Sequence, residues 1–146
     1  VTDLNGFSAR MRRRGRQVED GANKAKRQVA LIADRELVLE TPVDTGRARS
    51  NWIVSLGAPV LDAREPYAPG EKLGKGERRN AQAAIEQGTV RIALSKPGQD
   101  IYISNNVDYI GRLNDGSSAQ APSGFVQAAV TRAAAAVRGA RVLDGD

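Results

Sequence analysis

The chain has 146 residues, of which 40% are hydrophobic and only 4% aromatic, and it contains neither cysteine nor histidine. Those two absences exclude disulfides, thiol and imidazole chemistry and a His/Cys zinc site, removing the commonest general base and the easiest nucleophile. A formal net charge of +5, with a pI near 10.0, favours acidic partners, whether protein surface or nucleic acid.

This length suits one domain with an aliphatic, Ala-rich core, in which the single Trp carries unusual weight. No run approaches the roughly 18 apolar residues of a membrane span, and no signal-peptide pattern opens the sequence. The expectation is a protein made in the cytoplasm, with no membrane partner. Its charge is uneven. Nine basic residues (Arg10, Arg12, Arg13, Arg14, Arg16, Lys24, Lys26, Arg27 and Arg35) face Asp3, Glu19, Asp20 and Asp34, so the whole excess lies in the first 35 positions. Such a run is either a partner-binding arm or simply a solvated helix face.

Apolar residues at Leu4, Phe7, Met11, Val18, Ala22, Ala25, Val29, Ile32 and Leu39 recur in steps that predict one helical stripe over Gly6 to Glu40. A helix of that length spans about 50 Å, against a radius of gyration of about 15 Å for a compact chain of this size. Residues 1–28 are therefore read as a basic, protruding part, and residues 29–146 as a single α+β domain. The apolar face widens at Leu31, Ile32, Leu37, Val38 and Leu39, where packing on a sheet is expected. Gly15 and Gly21 are expected to bend or fray the rod.

The stretch TPVDTGRARSNW, Thr41 to Trp52, ends that helix. Pro42 pushes Thr41 out of the helical region, Asp44 and Thr45 can bond free backbone N–H groups, and Gly46 permits a left-handed turn. Arg47 to Ser50 then read as one helical turn. Trp52, Val54 and Leu56 alternate as a half-buried strand, with Trp52 expected to anchor the sheet to the long helix. Residues 57–76 hold Pro59, Pro66, Pro69, Gly70, Gly74 and Gly76 with almost no periodicity, and are read as an inserted loop, either ordered against a neighbour or loose. Gly70 to Gly76 does not make a phosphate loop: the spacing is one residue short, and Gly76 stands where Ser or Thr would hold magnesium.

Glu77 to Gln87 is predicted as a short helix with Ala81, Ala84 and Ile85 inward, closed by Gly88. Val90, Ile92 and Leu94, then Ile101 and Ile103, read as a β-hairpin. The predicted fold is thus α+β: a long N-terminal helix packed on a small antiparallel sheet of about three strands, with short helices and a C-terminal helix. Asp108 is placed as the cap of a short helix through Leu113, and Ser123 as the cap of the last helix. There Phe125, Val126, Ala129, Val130, Ala133 and Val137 face inward until Gly139. Ala133 to Ala136 either allow close approach of a neighbour or express helix propensity alone. The carboxylates Asp44, Asp62, Asp100, Asp108 and Asp115 are scattered among turns and caps, and no loop has calcium-ligand spacing. The expectation is a protein that is not an enzyme and has no cofactor, metal or catalytic residue.

Two stretches carry a resemblance. TPVDTGRARSNW is similar to the "TPVDTG-R-R-S-W" segment of neck and tail-completion proteins of long-tailed phages, a family that includes minor tail proteins of the Z type. YIGRLNDGSSAQAPSGFV, Tyr109 to Val126, resembles that family's C-terminal pattern of Tyr, Gly-Ser/Thr, Pro and a helix opening on an apolar residue. Ala48 stands where the family usually has Leu, and Asn114 where it usually has an acidic residue. The resemblance implies a structural virion protein, a ring subunit at the head–tail junction between head-closure or connector proteins and tail-terminator or tail-tube proteins, near packaged DNA. Pro42, Asp44, Thr45, Gly46, Arg47 and Trp52 would form its corner. Tyr109, Gly116, Pro122, Gly124 and Phe125 would form the C-terminal motif. Partner contacts are assigned to Arg10, Arg12, Arg13, Arg14 and Arg16 on the arm, and to Pro66, Tyr67, Lys72 and Lys75 on the loop. The alternative is a nucleic-acid-binding protein acting through the Arg-rich helix.

Overall fold

Pro42 ends the first helix where its chemistry requires. In the computed structural model, which describes residues 3–43, 46–68 and 76–143, α1 spans Leu4–Glu40 and Thr41 is already extended at φ −63°, ψ 127°. Asp3 caps the other end, its Oδ1 accepting from Gly6 N–H at 2.8 Å. At 37 residues α1 is about 55 Å long, and it runs without a break through Gly15 and Gly21. A short α2 (Arg47–Ser50) follows the corner, then β1 (Ile53–Leu56), α3 (Glu77–Ala93), β2 (Ile101–Ser104), α4 (Ile110–Asn114) and α5 (Phe125–Leu143).

The sheet has two strands, β1 and β2, paired antiparallel with Val54 opposite Ile103 and Leu56 opposite Ile101. The expected third strand at Val90, Ile92 and Leu94 is instead the end of α3, which passes through Gly88 rather than stopping there. Alternation over five residues is also what a helix shows where one turn is buried and its flanks are not. Ile92 is fully buried while Val90 and Leu94 are exposed. Nor could a third strand join beside β1. Gln87 of α3 occupies that edge, its Oε1 accepting from Val54 N–H at 3.2 Å and its Nε2 donating to Val54 C=O at 3.0 Å.

The face that α1 buries is not its apolar stripe. Asn23, Ala30, Ala33, Asp34, Leu37 and Val38 are buried. With about 100° per residue the middle of that face is turned by roughly 130° from the stripe of Leu4, Phe7, Met11, Val18, Ala25 and Leu39, and Ala33 borders the stripe. Small side chains line this face: Ala30 is buried against Val54 and Ile92, and Ala33 on α1 and Ala129 and Ala133 on α5 are buried where small side chains allow two helices to pack closely. The main core joins Leu37, Val38, Trp52, Ala81, Ala84 and Phe125, and a second cluster joins Ala30, Val54 and Ile92. Burial along α1 begins at Asn23, so its unsupported part is residues 4–22, shorter than the charge distribution suggests.

Three further expectations change. α4 has Tyr109 at its start with no side-chain cap, so Asp108 does not cap it. Asn114, not Ser123, serves the start of α5, its Oδ1 accepting from Val126 N–H at 3.0 Å. The acceptor role of an acidic residue there is thus kept by a carboxamide. α5 continues through Gly139, and Val130 on it is half exposed rather than inward. Of the Ala133–Ala136 run only Ala133 is fully buried.

Candidate interaction site

Thr41, fully buried, is the pivot of the corner. Its Oγ1 donates to Leu37 C=O at 2.5 Å and accepts from Trp52 Nε1 at 2.7 Å, tying the last turn of α1 to the indole that leads into β1. Arg49 completes the helix end from outside the chain's own helical pattern. Its Nε donates to Thr41 C=O at 2.9 Å and its Nη2 to Leu39 C=O at 3.1 Å. A cation at this position also offsets the negative end of the helix dipole. Glu77 Oε2 lies 3.6 Å from Arg49 Nε, linking the same corner to the start of α3. Burial lowers the pKa of the Arg49 guanidinium, and the Glu77 charge works against that shift.

Gly46 takes φ +77°, and a Cβ there would meet Asn80 Nδ2 at 2.1 Å. Only glycine lets the turn close over α3 at this point. Asn80 is itself fully buried, and its carboxamide grips the backbone of Ala68: Ala68 N–H donates to Oδ1 at 2.7 Å and Nδ2 donates to Ala68 C=O at 2.9 Å. Ser50 Oγ donates to the same Oδ1 at 3.0 Å. Asn51 repeats the arrangement on Arg64, accepting from its N–H at 2.7 Å and donating to its C=O at 2.9 Å. Asn106 Nδ2 donates to Val60 C=O at 2.7 Å. The described part of the 57–76 loop is therefore held by side-chain amides standing in for a neighbouring strand, which a proline-rich backbone cannot supply for itself. Gln120 does the same for Val43, at 2.8 Å and 3.1 Å.

That last pair brings the two resembling stretches together. Gln120 and Pro122 line one surface hollow with Thr41, Pro42 and Arg49, and Arg132 on its rim is paired with Glu36 and Glu40. Trp52 and Phe125 share the main core. Gly116 turns at φ +92° and Gly124 at +77°, the latter donating its N–H to Asn114 C=O at 2.7 Å. Tyr109 is half buried and its carbonyl accepts from Leu113 N–H at 3.1 Å. These are packing and turning positions; Arg47 is half buried beside them, its Nε without a hydrogen-bond partner.

The surfaces assigned to partners are distributed differently. Arg10, Arg12, Arg13, Arg14 and Arg16 are all exposed, and so are Leu4, Phe7, Met11 and Val18 on the same arm. Tyr67 is turned toward the core, with Arg64 stacked 3.6 Å from its ring centroid, and Pro66 is half buried. Asp44, Thr45, Lys72 and Lys75 lie outside the described residues.

Periodicity gives no sign of Arg49, Asn51, Asn80, Gln87 or Gln120, because each acts through a backbone group distant in sequence. Periodicity does not single out Asp34 either, which is 2% exposed beneath α3 with its Oδ1 lacking a hydrogen-bond partner. Desolvation raises its pKa from 3.8 to about 7. Among the described residues no three His, Cys, Asp or Glu side chains gather as a metal site, and no helix is long and apolar enough to cross a membrane. Comparison with protein families, with curated proteins and with solved structures gave no match.

Proposed function

We propose that the chain is a non-catalytic structural subunit of a phage head–tail joint, a neck or tail-completion ring protein set between connector and tail tube. The arm carries this reading. Five arginines and four large apolar side chains stand exposed on a helix that continues unbroken into a folded domain. A lone monomer leaves that surface without a use. The resemblance of the corner and of the C-terminal stretch supplies the setting, and a ring supplies neighbours through contacts of one patch on a different patch.

A nucleic-acid role rests on the same arginines and is separated by experiment. Purified protein is sedimented alone, with tail tubes or connectors, and with duplex DNA over a salt series. Co-sedimentation with the virion parts, lost on deleting residues 1–18, supports the joint. Salt-sensitive binding to bare DNA with no affinity for virion parts supports the alternative.

A further inference from the structure

The two edges of the sheet are treated differently. Gly57 N–H donates to Asp100 C=O at 2.9 Å, which with the strand register makes Ser55 and Tyr102, then Ile53 and Ser104, the hydrogen-bonded pairs. Val54 and Leu56 therefore turn their N–H and C=O groups away from β2, and Ile101 and Ile103 turn theirs away from β1. Gln87 answers Val54 on its side. On the other side, no described group bonds the outward N–H or C=O of Ile101 or Ile103.

That free edge borders an open groove of about 540 Å³, walled by Val29 and Ala33 of α1 and by Val130 of α5, with Lys26 and Asp100 at its mouth. Lys26 is committed: its Nζ donates to Lys96 C=O at 2.9 Å and to Gln99 C=O at 2.5 Å, fixing the turn that delivers β2. Asp100 is exposed and in no ion pair among the described residues. One side-chain carboxamide can answer one residue, as Gln87 answers Val54, but outward groups on two residues two positions apart beside an apolar wall fit an extended strand.

The geometry points to β2 as a docking edge for an extended segment of another polypeptide. Its backbone pairs with Ile101 and Ile103, its apolar side chains pack on Val29, Ala33 and Val130, and a basic side chain lies near Asp100. A second copy pairing β2 to β2 is disfavoured, because its own α1 and α5 would come to the side where the Val29 and Val130 wall stands. This inference does not depend on the role proposed above.

The test uses the full chain, isotope-labelled for NMR, and the synthetic peptide acetyl-Lys-Thr-Val-Thr-Val-Thr-amide. Titration to about 1 mM is expected to shift resonances of residues 100–104 and of Val29, Ala33 and Val130. Exchange at the Ile101 and Ile103 amides, fast in the free protein, is expected to slow roughly tenfold or more on binding. Peptides N-methylated on alternate residues are made in both phases. One phase should bind roughly tenfold more weakly and the other like the parent, since only one edge of the peptide pairs. Val130→Arg, at a half-exposed position, should fold normally and weaken binding. Three results overturn the proposal: no binding or shifts elsewhere, equal binding by both methylated phases, or protection of Ile101 and Ile103 through self-association without peptide.

Discussion

Gly88 rests so closely on Asp34 that a Cβ on the glycine would stand 2.1 Å from Asp34 Oδ2 and 3.0 Å from Val54 Cγ2. The contact brings the backbone of α3 against a carboxylate of α1, shutting that carboxylate away from water. It also explains a glycine in the middle of a 17-residue helix. Two predictions follow from this pair.

The first concerns pH. Folded, Asp34 keeps its proton up to about 7, whereas the unfolded chain releases it near 3.8. The folded state thus binds the extra proton between those values, and its stability falls as pH rises through that window. Urea unfolding of the wild type and of Asp34→Asn at pH 5 and at pH 8 isolates the effect. The variant should gain on the order of 3 kcal/mol relative to wild type between the two conditions. A constant difference would remove Asp34 from the account.

The second contrasts glycines on one period of chemistry but in different space. Gly88→Ala should cost about 2–3 kcal/mol through overpacking. Gly21→Ala meets nothing within 4 Å and should stabilise the helix by up to about 1 kcal/mol. Thermal unfolding of the two variants should move in opposite directions.

Thr41→Val keeps the shape of the corner but removes the acceptor of the Trp52 indole. A buried N–H left without a partner costs about 1–3 kcal/mol. The only tryptophan reports it directly: denaturant midpoints followed by its fluorescence should fall with little change of slope.

Asn80→Ala releases both backbone groups of Ala68 and the hydroxyl of Ser50. A loss of about 3 kcal/mol is expected from the bonds removed. Trypsin should then cut after Arg64 well before the domain unfolds, while in the wild type cleavage there should track global unfolding.

Phe7→Asp with Met11→Asp should leave stability within about 0.5 kcal/mol, since both side chains are exposed. If the arm works as proposed, the same double variant should fail to co-sediment with tail tubes or connectors. A large drop in melting temperature would place these residues in the core of the free protein instead.

The corner after the first helix was more legible than the later helix ends, where Gly88 and Gly139 do not stop α3 and α5, or than the faces of the helices. Pro42, Gly46 and the alternation from Trp52 mark the corner through local backbone chemistry, and that chemistry survives folding unchanged. The buried side of α1 was legible only at Leu37 and Val38, because its other core positions include Asn23 and Asp34 while Leu4, Met11 and Val18 face outward. An apolar stripe identifies the core only when the core is what the stripe serves. The short run from Val90 to Leu94 suited strand and helix alike, and what decided it was Gln87 filling the β1 edge and Gly88 meeting Asp34. Both are tertiary facts. Within the candidate site, the two resembling stretches stood out by their residues, but their junction at Gln120 and Val43 depends on a carboxamide that no local pattern singles out.

The arm and the packed half of α1 share one uninterrupted helix, with no loop or proline between Leu4 and Glu40. Whatever grips the first turns therefore holds a lever, not a tether. A swing of those turns is delivered directly to the ridge from Ala30 to Val38, and so the angle at which the body is presented is fixed by the grip itself.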